Sequence, residues 1–207
     1  MYVPRPDAPH SDDECWDFVR AHGFGHLIAP GERRDLPVVV PTQYVVPRAG
    51  EVVLHLATPN PVWEALAERP RALLSVAGDW AYIPTAWKAV GDEDPRLGVP
   101  TTYYAAVQLS CDTTVVDDDE GKLAILRTQL GTLQPDIDAA DPDVHAPRLP
   151  GIRGLRLAVT GMRAKLKYGG NVDAAHRLAV AEHLERRGYA GDAAARRHLL
   201  RRLGDER

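Results

Sequence analysis

A histidine inside an apolar strand is the residue of this chain most able to do chemistry. The run Val52-Val53-Leu54-His55-Leu56 should be largely buried, and Ala57-Thr58-Pro59-Asn60-Pro61 then turns at once into a helix start. An imidazole so placed must be hydrogen-bonded to the backbone, bound to a metal, or set against a ligand. Other residues leave two readings open. Lys165 and Lys167, two apart on one strand face, can reach a carboxylate or propionate, or be ordinary surface lysines. Gly169-Gly170-Asn171 before a helix can form an anion nest or a flexible turn. Trp80, Tyr82, Trp87, Tyr103 and Tyr104 fall in two short segments that can stack a planar cofactor or fill a barrel core. His176, His183 and His198 sit in helical, partly arginine-rich sequence and are expected to be solvated, while His10, His22, His26 and His145 lie near turns with no partner pattern. No Ser/His/Asp arrangement, phosphate-cradling glycine loop or His-x-x-x-His spacing is visible.

The elements that must position these groups are legible from caps and periodicity. Ser11-Asp12-Asp13-Glu14 has capping-box order and predicts a helix to about His22, ended by Gly23. Strands are expected at 25–29, 38–46 and 51–56, the last two forming a hairpin through Pro47-Arg48-Ala49-Gly50. Asn60 as N-cap and Pro61 as first helical residue open a short helix to about Glu68. A strand follows at 71–77, then an aromatic stretch at 80–84 and a polar loop at 88–100 that reads as a lid or a long connection. A long strand at 101–111, an amphipathic helix at 120–133, a proline-rich linker at 135–150 and a strand at 152–163 precede the last helical region. Strands cluster ahead of helices, which points to an α+β, mainly antiparallel barrel with peripheral helices.

With 207 residues, one domain spanning 1–207 with a helical C-terminal extension from about 171 is expected. The formal charge of -4 offers no basic surface for a nucleic-acid backbone. Cys15 and Cys111 lack the spacing of a disulfide framework or zinc site. No run of eighteen apolar residues is present, so a cytoplasmic protein with no membrane partner is expected.

Taken in order, Met1-Tyr2-Val3-Pro4, Gly23-Phe24-Gly25, His55-Leu-Ala-Thr-Pro-Asn60-Pro61-Val-Trp63, Ala81-Tyr82-Ile83-Pro84-Thr85-Ala86-Trp87, Val99-Pro100-Thr101 with Tyr104-Ala105-Ala106-Val107, and Gly151-Ile152 through Lys165-Leu166 resemble the PaiB-like FMN-binding split-barrel family. The resemblance spans nearly the whole chain. It implies a six-stranded split β-barrel, a homodimer and a cofactor pocket at the subunit interface, with Asn60, Trp63 and Trp87 among the cofactor-binding residues. The chain departs from the family pattern where a flavin phosphate would be held: Thr58 stands where an arginine is expected, Trp80 replaces a histidine, and Thr102-Tyr103 replace Trp-Asn. Loss of a bidentate phosphate partner disfavours FMN.

Lys165-Leu166-Lys167-Tyr168-Gly169-Gly170-Asn171-Val172-Asp173, with Ala175-His176-Arg177, is similar to the haem-dependent piperazate synthase branch of that family. The branch implies conversion of N-hydroxy-L-ornithine to L-piperazic acid by intramolecular N-N bond formation with loss of water, a step in natural-product biosynthesis. Haem b would then be the cofactor, with FMN as the alternative. His55 is the expected iron ligand, and Lys165 or Lys167 would hold a propionate or the substrate carboxylate. Tyr82, Tyr103, Tyr104, Thr42 and Thr101 are unranked candidates for proton transfer. Two other readings stay open: an FMN-binding redox or transcriptional regulatory protein, and a haem-binding split-barrel protein without N-N chemistry.

Overall fold

Local caps set the first element. In the computed structural model, which describes residues 1–89, 91 and 93–204, the Ser11 hydroxyl accepts the Glu14 amide at 3.2 Å and the Glu14 carboxylate accepts the His10 amide at 2.7 Å. The first bond satisfies a first-turn donor of α1 (Asp12–His22), as the capping-box order predicts, and the second ties the residue before the Ser11 cap to the same turn. Gly23 then takes φ 57° and releases the chain into β1 (Phe24–Ala29).

The expected single strand over 38–46 is divided. β2 (Val38–Gln43) pairs with β1, whereas β3 (Val45–Arg48) pairs with β4 (Glu51–Ala57). The break falls at Tyr44, whose amide donates to Gly23 O and whose buried hydroxyl donates to Val19 O at 2.8 Å. Those bonds tie the residue to the end of α1 and take it out of the ladder. The hairpin expected before β4 is present in its 45–48 half. The strand expected at 71–77 runs through the aromatic stretch as β5 (Arg71–Ile83). β6 (Thr101–Val116) alternates buried and half-buried residues over most of its length, the period of a strand with one face in a core. β7 (Ile152–Lys167) carries both Lys165 and Lys167.

The remaining helices are α2 (Val62–Glu68), α3 (Asp119–Leu133), α4 (Ala174–Arg187) and α5 (Asp192–Gly204). Within the expected linker, Pro142–Gly151 is a 3-10 helix that buries Leu149. The sheet order is β2-β1-β5-β6-β7-β4-β3. This α+β, mainly antiparallel arrangement has seven strands instead of the six that the resemblance implied, because Tyr44 divides one of them. Val90 and Asp92, part of the loop expected at 88–100, lie outside the described residues.

The chain divides into two compact units: residues 1–14, 77–107 and 164–207, and residues 15–76 and 108–163. In the second, Val45, Val53, Val116 and Ile125 form one cluster that seats α3 against its strands. Gly154 faces this cluster, and a Cβ there would come within 2.5 Å of the Ile125 side chain. In the first, the residues from 171 onward are built into the core through Val180, Leu184, Ala195 and Leu199. The Arg202 guanidinium donates to Pro6 O, Ala8 O and Leu166 O, binding α5 to the N-terminal segment.

Between α4 and α5, Gly188 takes φ 65° and the Arg187 guanidinium grips the buried Asp192 carboxylate through bonds of 2.9 and 2.6 Å. That guanidinium holds the Asp192 carboxyl below the usual carboxylate range. A carboxyl lowered by folding adds stability that is fully present above its unfolded pKa of about 3.9 and is lost as pH falls through the folded value. Melting temperatures recorded from about pH 6 to about pH 3 should therefore fall more steeply for the wild type than for Asp192→Asn, which has no carboxyl to titrate.

Candidate functional site

The His55 corner is built within the second unit. His55 lies on β4 opposite Gly154 of β7. Its ring is half-buried, and its Nδ1 stands 2.6 Å from Gln129 Oε1 of α3. A carboxamide oxygen only accepts, so this contact calls for the proton on Nδ1, the tautomer whose Nε2 is a lone pair when the ring is neutral. Gln129 is itself buried, on the same face of α3 as Lys122 and Ile125. Lys122 is fixed by Leu149 O at 3.2 Å and by Asp119 at 3.0 Å, and Ile125 by the cluster under Gly154. The helix that aims Gln129 is thus anchored one and two turns upstream.

The turn after β4 is equally determined. Asn60 Oδ1 accepts the Val62 amide at 3.0 Å, so the side chain caps α2 as its type predicts, although regular helix begins one residue after Pro61. Trp63, buried in the first turn, donates its indole N-H to Ala57 O at 2.9 Å, and the Arg153 guanidinium lies 5.8 Å from its ring centroid. Asn60 and Trp63 therefore fix the exit from the His55 strand. Thr58 donates its hydroxyl to Pro150 O at 2.9 Å. Position 58 offers no guanidinium to a phosphate, and its one hydroxyl proton is already engaged. Thr42, also in this unit, is buried and donates to Gln43 O.

The other expected site residues belong to the first unit. Lys165 is met by Asp7 at 3.4 Å and lies near the Tyr2 and Tyr104 rings. Lys167 donates to Thr101 Oγ1 at 2.5 Å. Tyr103 is 2% exposed, its hydroxyl has no hydrogen-bond partner among the described residues, and burial pushes its pKa up to about 12, so it stays protonated at neutral pH. Tyr82 and Trp80 are exposed on β5. The Trp87 ring has His183 stacked 4.8 Å away and nearly parallel, and the Arg187 guanidinium 4.7 Å from its centroid.

Several functional side chains escape a reading by sequence. Gln129 is one; its only signal is a polar residue in the buried stripe of an amphipathic helix. Of the histidines expected to be solvated, His183 stacks on Trp87, and His198 stacks on Tyr168 and reaches Asp79 Oδ2 at 2.8 Å. His176 is half-buried, with Nε2 fully enclosed and without a hydrogen-bond partner.

A family model described as a putative FMN-binding domain matches residues 1–161. Protease synthase and sporulation protein PAI 2 of Bacillus subtilis (strain 168) is 24% identical over 191 residues, covering 89% of each chain. Among solved structures, the FAD and heme binding protein from Mycobacterium smegmatis superimposes with a TM-score of 0.61 at 20% identity, over 84% of this chain and 79% of that one. The flavocytochrome Anf3 from Azotobacter vinelandii gives 0.61 at 18% identity, over 81% and 73%. At these identities the structural likenesses establish a shared split-barrel-like fold. Among the described residues, no helix is long and apolar enough to cross a membrane.

The Gln129 contact makes a prediction about the protein without any ligand. Nitrogen NMR of the His55 ring should give the Nδ1-H tautomer in the wild type and a shift toward Nε2-H in Gln129→Leu, with the fold unchanged by circular dichroism.

Proposed function

Because the chain belongs to the family described as a putative FMN-binding domain, we propose that it is a haem-dependent cyclase of the piperazate synthase kind, closing N-hydroxy-L-ornithine to L-piperazic acid. The observation that carries this reading is the His55–Gln129 contact: Gln129 Oε1 stands 2.6 Å from Nδ1, and accepting a proton there would leave the Nε2 lone pair for a metal. A second hydrogen bond that fixes ring and tautomer is the usual support of a metal-ligating histidine. Thr58 favours haem over FMN, since a flavin phosphate loses the arginine expected there and meets a hydroxyl already donated to Pro150 O.

In this reading His55 would hold the haem iron and Gln129 would be its positioning residue, while Asn60 and Trp63 hold the turn that follows. The chemistry that haem would supply there is Lewis acidity toward the N-O bond of the hydroxylamine. The overall change needs no outside oxidant. The α-amine nitrogen forms a bond to the δ-nitrogen, the N-O bond breaks, and the departing hydroxyl leaves as water with a proton from the nitrogens. The chain's part is to keep the imidazole correctly turned, and to hold it on a strand rather than a mobile loop. His55 is anchored in the β4–β7 ladder from Glu51↔Ala158 to Ala57↔Ile152.

The flavin reading is favoured by the family description and makes a different spectral statement. Protein purified with haem supplied should show a Soret band and, given N-hydroxy-L-ornithine, a product lighter by the mass of water. His55→Ala should lose both. A yellow protein with flavin absorbance, no Soret band and unchanged substrate would return the chain to the flavin class, and a His55→Ala variant that keeps the full Soret band would remove His55 as ligand.

A further inference from the structure

Two arginines flank a proline where α2 gives way to β5. Arg69 ends α2, its amide donating to Ala65 O, and Arg71 opens β5. Pro70 restricts the backbone between them, and its carbonyl accepts the Thr113 amide of β6 at 3.0 Å. Both guanidinium groups line a cavity of about 530 Å³ that lies wholly within the second unit. Its floor is apolar. Ile28 of β1 and Leu73 of β5 are register partners, so their side chains share one face of the sheet. Pro30 and Pro37 stand at the two ends of the loop that walls the cavity.

That loop brings a third guanidinium, Arg34, and its conformation is braced. Gly31 takes φ 62°, and the Glu68 carboxylate accepts the Glu32 amide at 2.9 Å and the Arg33 amide at 3.4 Å. The same carboxylate meets Arg34 Nη2 at 3.3 Å, and the largely exposed Glu64 meets it at 3.5 Å. Glu68 therefore aims Arg34 while dividing its own charge between a guanidinium and two amides. Arg71 pairs with Asp112 at 3.3 Å, but more than half of each side chain is exposed, and such a pair is held weakly. The Arg69 guanidinium has no hydrogen bond or ion pair among the described residues. Asp35 is the one acid among the described lining residues, against three arginines.

We propose that this cavity binds a phosphate monoester with an apolar body, the phosphate among Arg34, Arg69 and Arg71 and the body against Ile28 and Leu73. Guanidinium groups suit a phosphate because the planar fork donates two parallel bonds to its oxygens. The doubly charged head answers three arginines better than a carboxylate does, and the weak Arg71–Asp112 pair exchanges for it at little cost. Ser110, on the neighbouring strand β6, adds a neutral hydroxyl to the lining. The site lies at the opposite end of α2 from the Asn60 cap and does not depend on which cofactor His55 meets.

The test titrates naphthyl phosphate calorimetrically into the full-length protein, beside naphthol, naphthoate and inorganic phosphate. The ester should bind at least about 10-fold more tightly than each of the other three. Arg69→Met removes a side chain that makes no contact of its own in the fold, and it should abolish that margin, as should Arg71→Met. Arg33→Met, next to the cavity but outside its lining, should leave the margin intact, and Asp35→Asn should tighten the ester. Naphthol binding as well as the ester overturns the proposal, and so does a margin that survives both Arg69→Met and Arg71→Met. Naphthoate equal to the ester removes the phosphate assignment. A margin lost equally in Arg33→Met reduces the attraction to general surface charge and removes the site. None of these variants touches His55 or Gln129, so protein that takes up haem yet shows no preference for the ester counts against this proposal alone.

Discussion

The hydrogen bond between His55 Nδ1 and Gln129 Oε1 is the contact on which the chemistry proposed for the second unit depends. A histidine on a strand between apolar neighbours would otherwise be free to choose its tautomer and its rotation. At 2.6 Å from an acceptor-only oxygen it has one protonation pattern when neutral, and its second nitrogen is defined as a lone pair. The rest of the unit serves that contact. Gly154 leaves room for Ile125, the Val45–Val53–Val116–Ile125 cluster seats α3, and the buried Lys122 ties the same helix to Leu149 O. Removing Gln129 leaves the strand in place and the imidazole without direction.

The first unit solves a different problem, the burial of polar groups contributed by helices. Two of its arginines are each held by several acceptors: Arg187 by Asp192 and Tyr82 O, Arg202 by three carbonyls. Asp79, at φ 51°, is held by the Tyr168 hydroxyl at its carbonyl and by His198 at its carboxylate, so a strained residue is over-determined by its partners.

Much of the framework can be read from residue order alone. The capping box at Ser11–Glu14, the cap at Asn60 and the strand around His55 rest on local chemistry, and local chemistry is what a sequence displays. The family resemblance carried the fold further, to a split-barrel type that composition and periodicity leave open. The division at Tyr44 was hidden because its cause is a hydroxyl reaching Val19 and an amide reaching Gly23, both tertiary contacts. The continuation of β5 through Trp80 and Tyr82 was hidden because its ladder overrides the weak alternation of that stretch. Gln129 and His176 were missed for a shared reason. Each lies on a helix whose partner is distant in sequence, so their types announced no role until the helix was placed.

The most direct test is resonance Raman spectroscopy of ferrous, haem-loaded protein in the iron–imidazole region. A wild-type iron–imidazole line that moves to lower frequency in Gln129→Leu would establish His55 as the ligand whose donor strength Gln129 sets. Haem-bound wild-type protein with no such line, or a line indifferent to Gln129, would contradict the account.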